Sequence, residues 1–449
     1  MSSGETTLEV IRLFVLLVGA AALVTLFARR IHLPYTVALV AFGIVAGAAA
    51  QPLRLEITPE LVLVVLLPAL IFEASYQTDF AKLRPSLGGV ALLAGPGVFI
   101  SAALIAVALH FGAGLPAPQA FVVGAMLSAT DPAAVIATFK RLGSPRRLST
   151  LVEAESVFND GTGIVVFAIA VAFVTRPVGP LEIGFTFFAV TIVSTMLGAV
   201  AGYAASRILP SVGDHLIEIS LSVVLAYGTY LAADALHQSG VIATAVAGIV
   251  LGSYGRSRGL SPKTEEALDT VWEFVAFLAT AFVFLVVGFS IAVHSLVSVA
   301  VPIAWAIAAT LAGRAVIVYG LLGTWRLAER AMRRRRGRVA GPRLARRTAR
   351  SAPDEGVIPL TWLHVIFWSG LRGAVSTALA LSLPNDFPNR AQLQAITFGV
   401  VLFTLVVQAT TAEVVVDRWG RKTKRTSKSK PAETAAPAGL AAHEPESTT

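Results

Sequence analysis

Residues 118–139 read PQAFVVGAMLSATDPAAVIATF, an apolar run interrupted by Ser128, Thr130, Asp131 and Pro132 near its centre. A run of this length is about what a helix needs to cross the hydrocarbon core of a bilayer. Pro132 has no amide proton and disfavours helix in the residue before it, so backbone carbonyls around Thr130 lose their helical donors. A break at that depth survives only where it is buried in protein or lines a polar cavity. Freed carbonyls, a hydroxyl and a carboxylate are hard oxygen donors of the kind an alkali cation requires, and the broken helices of secondary transporters supply such donors.

The rest of the chain gives that segment its solvent. Of 449 residues, 55% are hydrophobic and only 14% are charged. The mean hydropathy is +0.74, which excludes a soluble globule and makes lipid the medium. The sequence has no Cys, which removes disulfides, thiolate metal sites and Cys nucleophiles together. The net charge of +9 is unevenly placed: eleven Arg lie between Arg326 and Arg350, and a second basic cluster runs from Arg418 to Lys430. Both follow apolar segments directly, where topogenic cytoplasmic charge sits, rather than forming a nucleic-acid-binding surface. Residues 416–449 read as a basic, disordered cytoplasmic tail, too poor in apolar residues to fold. At the other end, Glu5 and Glu9 precede the apolar run Val10 to Phe27 and Arg29 and Arg30 follow it. This reverses the charge order of a cleavable signal and predicts a retained first span.

Hydropathy predicts thirteen helices, near 9–28, 34–50, 57–76, 87–109, 118–139, 149–174, 182–208, 215–234, 239–254, 266–291, 296–325, 359–382 and 391–415. Threading them from an outside N-terminus places on the cytoplasmic side the connections Arg29 to His32, Lys82 to Arg84, Lys140 to Arg147, Arg207 to Asp214, Arg256 to Lys263 and the Arg326 to Arg350 run. The opposite connections carry only Arg54, Arg176 and Arg390 as basic residues. The asymmetry supports both the odd helix count and an orientation with the C-terminus in the cytoplasm.

The ionisable residues left inside spans each cost roughly 2.5–3.5 kcal/mol at a helix centre. Asp131, Asp160, Arg314 and Arg372 fall near the midplane, with Glu73 and Glu155 a turn or two away. In the stretch Glu153-Ala154-Glu155-Ser156-Val157-Phe158-Asn159-Asp160-Gly161-Thr162-Gly163, Ser156 and Asp160 share a helix face, with Glu155 one turn below Asn159 on the neighbouring line. Glu153 sits at the helix's cytoplasmic end, where a carboxylate is favoured without any role in the site. Late in the chain, Ser369-Gly370-Leu371-Arg372-Gly373-Ala374 places an Arg between two Gly in an apolar span, a second predicted break. Its place matches that of the Asp131 segment if helices one to six and eight to thirteen are repeats, and paired interruptions of this kind point to a transporter site at a repeat interface.

Thr130-Asp131-Pro132, Glu155-Ser156-Val157-Phe158-Asn159-Asp160-Gly161-Thr162 and Gly370-Leu371-Arg372-Gly373-Ala374, in this order and spacing, resemble the signatures of the sodium/proton antiporter family of the cation/proton antiporter-1 type. Phe72-Glu73-Ala74, Trp272-Glu273-Phe274 and Arg314 also resemble family features. One departure is that many relatives carry an amide where this chain has Ala279 and Thr280. The resemblance implies an all-α polytopic membrane protein of about thirteen transmembrane helices, in inverted six-helix repeats with two broken, crossing helices. It implies a transmembrane domain over 1–415, with core helices near 87–174 and 296–415 and dimerisation helices near 9–76 and 182–291, assembled as a homodimer in the cell membrane. It further implies that Asp160 carries the cation and the proton, with Asp131, Ser156, Glu73 and the Thr130 carbonyl around the cation. Asn159 would hold Asp131 and the break in place, and Glu155 and Arg372 would form an ion pair with Arg314 near the same network.

The expected activity is secondary active exchange of a monovalent cation, sodium first and potassium as the alternative, for a proton. Proton and cation compete for one carboxylate, and if only occupied states cross between the two faces, competition alone couples their movements. Asn159 next to Asp160, in place of a second acid, predicts one cation per proton. No enzymatic chemistry and no cofactor are expected; the sodium ion and the proton are cargo. A cation channel could use the same oxygens, but paired breaks suit alternating access better. An intramembrane aspartyl protease would also hold two buried Asp, and an organic anion transporter would turn Arg314 and Arg372 toward its cargo.

Overall fold

The computed structural model describes residues 3–31, 33–49, 61–175, 179–258, 260–291, 293–339 and 358–420. His32, Arg54, Arg176, the Arg343 to Arg350 end of the basic run and the tail beyond residue 420 lie outside the described residues.

Among the described residues the chain is helical throughout, joined by short turns. Seven helices are long and apolar enough on their own to cross a membrane: Leu87–Ala113, Arg146–Val174, Gly184–Ser211, His215–Ala235, Pro262–Phe289, Ala300–Met332 and Arg390–Trp419. Shorter apolar helices cover Tyr35–Ala48, Val62–Tyr76 and Ala117–Met126. Several starts are set by local chemistry. Asp214, Ser239 and Ser261 each accept a hydrogen bond from a backbone amide of the helix they open, at Leu216, Ile242 and Thr264. Gly114, Gly143 and Gly213 take the left-handed conformation at turns, where other residues would be strained.

The outer surface is apolar, as a lipid solvent requires. Leu181, Phe185, Phe188, Met196 and Val200 on the helix Pro180–Ile208 are all exposed. Packing inside is by close backbone approach: a Cβ on Gly43 would lie 2.6 Å from the Leu285 carbonyl oxygen, which joins Tyr35–Ala49 to Pro262–Ser290. Without a hydrophobic drive between helices in lipid, such small-residue contacts supply the van der Waals association.

Three buried clusters organise the interior. One joins Phe72, Tyr76, Leu225, Ala247, Leu268 and Trp272. A second joins Leu93, Val135, Leu151, Ile317, Val365 and Val416. The third and largest contains Val123, Val157, Val166, Phe284 and Val400.

The structure departs from the sequence reading at three places outside the site, one being that residues 416–419 of the expected disordered tail belong to the helix Thr410–Trp419, with Val416 buried. The helix expected as continuous over 87–109 is divided at Gly95 into Leu87–Ala94 and Pro96–Ala113. Pro96 removes an amide donor, and the Thr162 hydroxyl donates to the Ala94 carbonyl at 2.5 Å. The helix expected to end near 325 continues as Gly323–Val339, because Arg, Ala, Leu and Glu are strong helix formers.

Candidate functional site

Both predicted breaks are present. The helix Ala117–Met126 stops, residues 127–132 are non-helical, and helix resumes at Ala133–Leu142. Likewise Leu360–Trp368 stops and Ala374–Leu381 begins after the non-helical segment 369–373. The two irregular segments cross and satisfy one another. The Asp131 amide donates to the Leu371 carbonyl at 2.9 Å. The Arg372 guanidinium donates through Nη1 to the carbonyls of Ser128 and Ala129, at 2.7 and 2.8 Å. The Asp131 carboxylate accepts from the Ala133 amide at 3.0 Å and the Ala374 amide at 3.2 Å.

These bonds have one electrostatic logic. Helix starts carry partial positive charge and helix ends partial negative charge. Asp131 lies at the starts of two half-helices, Ala133–Leu142 and Ala374–Leu381, while Arg372 caps the end of Ala117–Met126. Each formal charge therefore offsets oriented dipoles that lipid could not solvate. The crossing is close enough that a Cβ on Gly373 would collide with the Asp131 carboxylate, and one on Gly370 would lie 2.6 Å from Arg314 Nε. Gly373→Ala is expected to lower stability by about 1–3 kcal/mol or more, as for overpacking of a filled core. Melting of the detergent-solubilised chain measures this, and an unchanged midpoint would show that the crossing can open without cost.

The helix Arg146–Thr175 lies against the crossing. Ser156 donates to the Thr130 carbonyl at 2.6 Å, and Asn159 Nδ2 donates to the Thr130 hydroxyl at 3.1 Å. The resemblance implies that Asn159 holds Asp131 and the break; in the structure its amide donates to Thr130 and, at 3.5 Å, to Glu155 Oε1, while the Asp131 oxygens accept backbone amides. The Glu155–Arg372 pair is not formed either. Glu155 is held by Arg314 through two parallel bonds, Nη1 to Oε1 at 2.5 Å and Nη2 to Oε2 at 2.8 Å. Arg314 Nη2 also donates to the Ile366 carbonyl at 2.8 Å. The planar guanidinium fork matches a carboxylate, whereas the Arg372 fork is turned toward the carbonyls of the first break.

Asp160 is 9% exposed, and its Oδ1 has no hydrogen-bond partner. It stands one helical turn from Ser156, in the field of Asp131, Glu155 and Arg372. Glu73 borders this group rather than joining it: its Oε1 accepts from Gln77 at 2.7 Å, and its charged neighbours are Lys140, Glu273, Glu153 and Asp269. Among the described residues, no three His, Asp or Glu side chains converge to hold a metal ion. The Thr130 carbonyl and the Ser156 hydroxyl, bonded to each other, each keep a free lone pair.

Thr404 is a site residue that the sequence reading missed. Its hydroxyl accepts from the Arg372 amide at 3.1 Å and lies 3.2 Å from the Arg372 carbonyl. It opens a π-helical segment, Thr404–Ala409, and a second such segment, Val316–Leu322, follows Arg314 closely. Irregular turns of this kind gather at functional sites. A lone Thr in an apolar helix ordinarily bonds its own preceding carbonyls, so nothing in the sequence marks this one.

The family model described as sodium/hydrogen exchanger, transmembrane, matches residues 16–418. The chain is 35% identical over 419 residues to the Na(+)/H(+) antiporter NhaH of Halobacillus aidingensis, covering 90% of this chain and 96% of that one. It is 36% identical over 408 residues to the Na(+)/H(+) antiporter ApNhaP of Aphanothece halophytica, covering 90% of this chain and 73% of the relative. The structure of the sodium proton antiporter MjNhaP1 from Methanocaldococcus jannaschii superposes with a TM-score of 0.71 at 18% identity, covering 92% and 99% of the two chains. The chain belongs to the sodium/hydrogen exchanger family, and it has that antiporter's fold.

Proposed function

We propose that this protein exchanges one sodium ion for one proton across the cell membrane by alternating access, with Asp160 as the group that binds either. The observation that carries the reading is a charge count at the crossing. With all five groups ionised, Asp131, Glu155 and Asp160 bring three negative charges against two positive charges on Arg314 and Arg372. Glu155 is matched by Arg314, and Asp131 and Arg372 offset helix dipoles. The remaining charge belongs to Asp160, whose Oδ1 is unpaired. A single proton neutralises that charge, and so does a single monovalent cation. The empty state keeps a net negative charge in a low-dielectric interior, which is costly. Occupied states therefore cross the membrane and the empty one does not, which is what coupled exchange requires.

Sodium is the cargo that the names of the relatives support. The thirteen-crossing threading, the cytoplasmic C-terminus and the homodimer built on 9–76 and 182–291 belong to the same proposal. So does the division into those helices and a core of 87–174 and 296–415. Everted vesicles carrying the protein, acidified by respiration and then given sodium, lithium or potassium chloride in turn, test the cargo. Sodium is expected to release the proton gradient, and release by potassium alone would overturn the assignment.

The charge count makes a second prediction. A one-for-one cycle moves no net charge, so membrane potential does no work on it, whereas a cycle moving two protons per cation would feel about 2.3 kcal/mol per 100 mV. In proteoliposomes clamped at several potentials with potassium and valinomycin, the end point of sodium-driven pH change is expected to stay constant. An end point that shifts with potential would show that a second acid cycles its proton, with Asp131 and Glu73 the first to test.

A further inference from the structure

A cavity of about 10 Å³ lies behind the crossing, on the side that Asn159 faces. Its polar wall is Ser101, Ser128, Thr130, Asn159, Arg314 and Arg372, and the rest is apolar apart from the backbone. Four of these residues carry a polar side-chain atom without a hydrogen-bond partner: Ser101 Oγ, Asn159 Oδ1, Arg314 Nε and Arg372 Nε. All four are nearly inaccessible to bulk solvent, at 2%, 3%, 4% and 1% exposure in the same order. Buried polar groups almost always find a partner, and leaving one unmatched carries its full desolvation cost. Four of opposite types around one small space therefore describe a ligand.

The types choose it. An alkali cation would face two guanidinium groups. A halide would suit those groups but would meet the carbonyl oxygen of the Asn159 amide. A neutral molecule that both donates and accepts matches the unpartnered atoms of all four lining residues: it can accept from the Nε–H groups of Arg314 and Arg372 and donate to Asn159 Oδ1 and Ser101 Oγ. The volume is that of one water, and dry cavities are lined by apolar atoms. We propose that this cavity is a binding site for one structural water molecule, four-coordinated by Ser101, Asn159 and the two buried arginines. That water ties the Glu155–Arg314 pair to the Arg372 clamp. It also fixes the Asn159 amide so that Nδ2 faces Thr130, whose carbonyl belongs to the proposed cation site. The inference concerns this cavity alone and stands whichever ion is carried.

The test is a structure of the full chain at about 2 Å resolution, from crystals grown with and without sodium bromide. The expected result is a single peak within about 2.7–3.2 Å of Ser101 Oγ and Asn159 Oδ1, with no anomalous bromide signal. A Ser101→Ala chain is expected to keep the peak on its three remaining partners and to melt within a few degrees of the parent. A cavity without density in the parent chain would overturn the proposal. Bromide in the cavity would overturn it in favour of an anion.

Discussion

Asp160→Asn is expected to reduce sodium-driven proton flux in proteoliposomes to the protein-free background while the protein stays folded. The amide keeps the size of the carboxylate, but it neither releases a proton nor presents a full charge to a cation. Because Asp160 Oδ1 makes no hydrogen bond, the substitution breaks no bond at that atom, and it removes a buried charge that nothing nearby pairs directly. The melting midpoint is therefore expected to hold or to rise. Activity lost together with stability gained is the signature of a residue kept for function at some cost to the fold. Flux near the parent level would sink the assignment, and a collapse of the folded state would show that Asp160 supports the structure instead.

Arg314→Met is expected to destabilise the protein by about 3–5 kcal/mol, because it strands Glu155 as an unpaired buried charge. A double-mutant cycle identifies the true partner. Combining Glu155→Gln with Arg314→Met is expected to show a coupling of roughly 1–3 kcal/mol, the range for residues in direct contact. Combining Glu155→Gln with Arg372→Met is expected to show clearly less, since Arg372 spends Nη1 on the Ser128 and Ala129 carbonyls. Thermal unfolding in detergent of the six chains, the parent, the three single variants and the two doubles, gives both numbers. A larger coupling to Arg372 would mean that the pairing changes between conformations, with Glu155 shared by the two arginines.

Much of this architecture is legible in the sequence, for physical reasons. Apolar runs and the absence of charge mark helices in lipid, and Pro132 marks the first break because proline cannot supply the missing donor. Gly370 and Gly373 mark the second. Their spacing serves two neighbours, since Gly370 makes room for Arg314 and Gly373 for Asp131. The choice of partners was not legible. Arg314 and Arg372 both fall at midplane depth, and only the rotation and tilt of each helix decide which reaches Glu155. The same holds for Asn159. Its neighbourhood with Asp131 could be expected, but the backbone amides of Ala133 and Ala374 reach that carboxylate first. Thr404 shows the limit most plainly, because its task depends on a backbone segment more than thirty residues earlier.

The two breaks satisfy each other across 244 positions, from Ser128 to Arg372. On the ribosome, the first is made long before the second exists. At about 5–20 residues per second, the carbonyls of Ser128 and Ala129 wait roughly 10 to 50 s for the guanidinium that will cap them. Throughout that interval the nascent chain holds exposed peptide groups at membrane depth, where lipid offers no substitute. Biogenesis thus needs either a protected, hydrated site at the insertion machinery or late entry of the Asp131 segment. Nascent chains stopped before residue 371 should accordingly be prime substrates for membrane quality-control proteases, while chains stopped beyond residue 381 should largely escape.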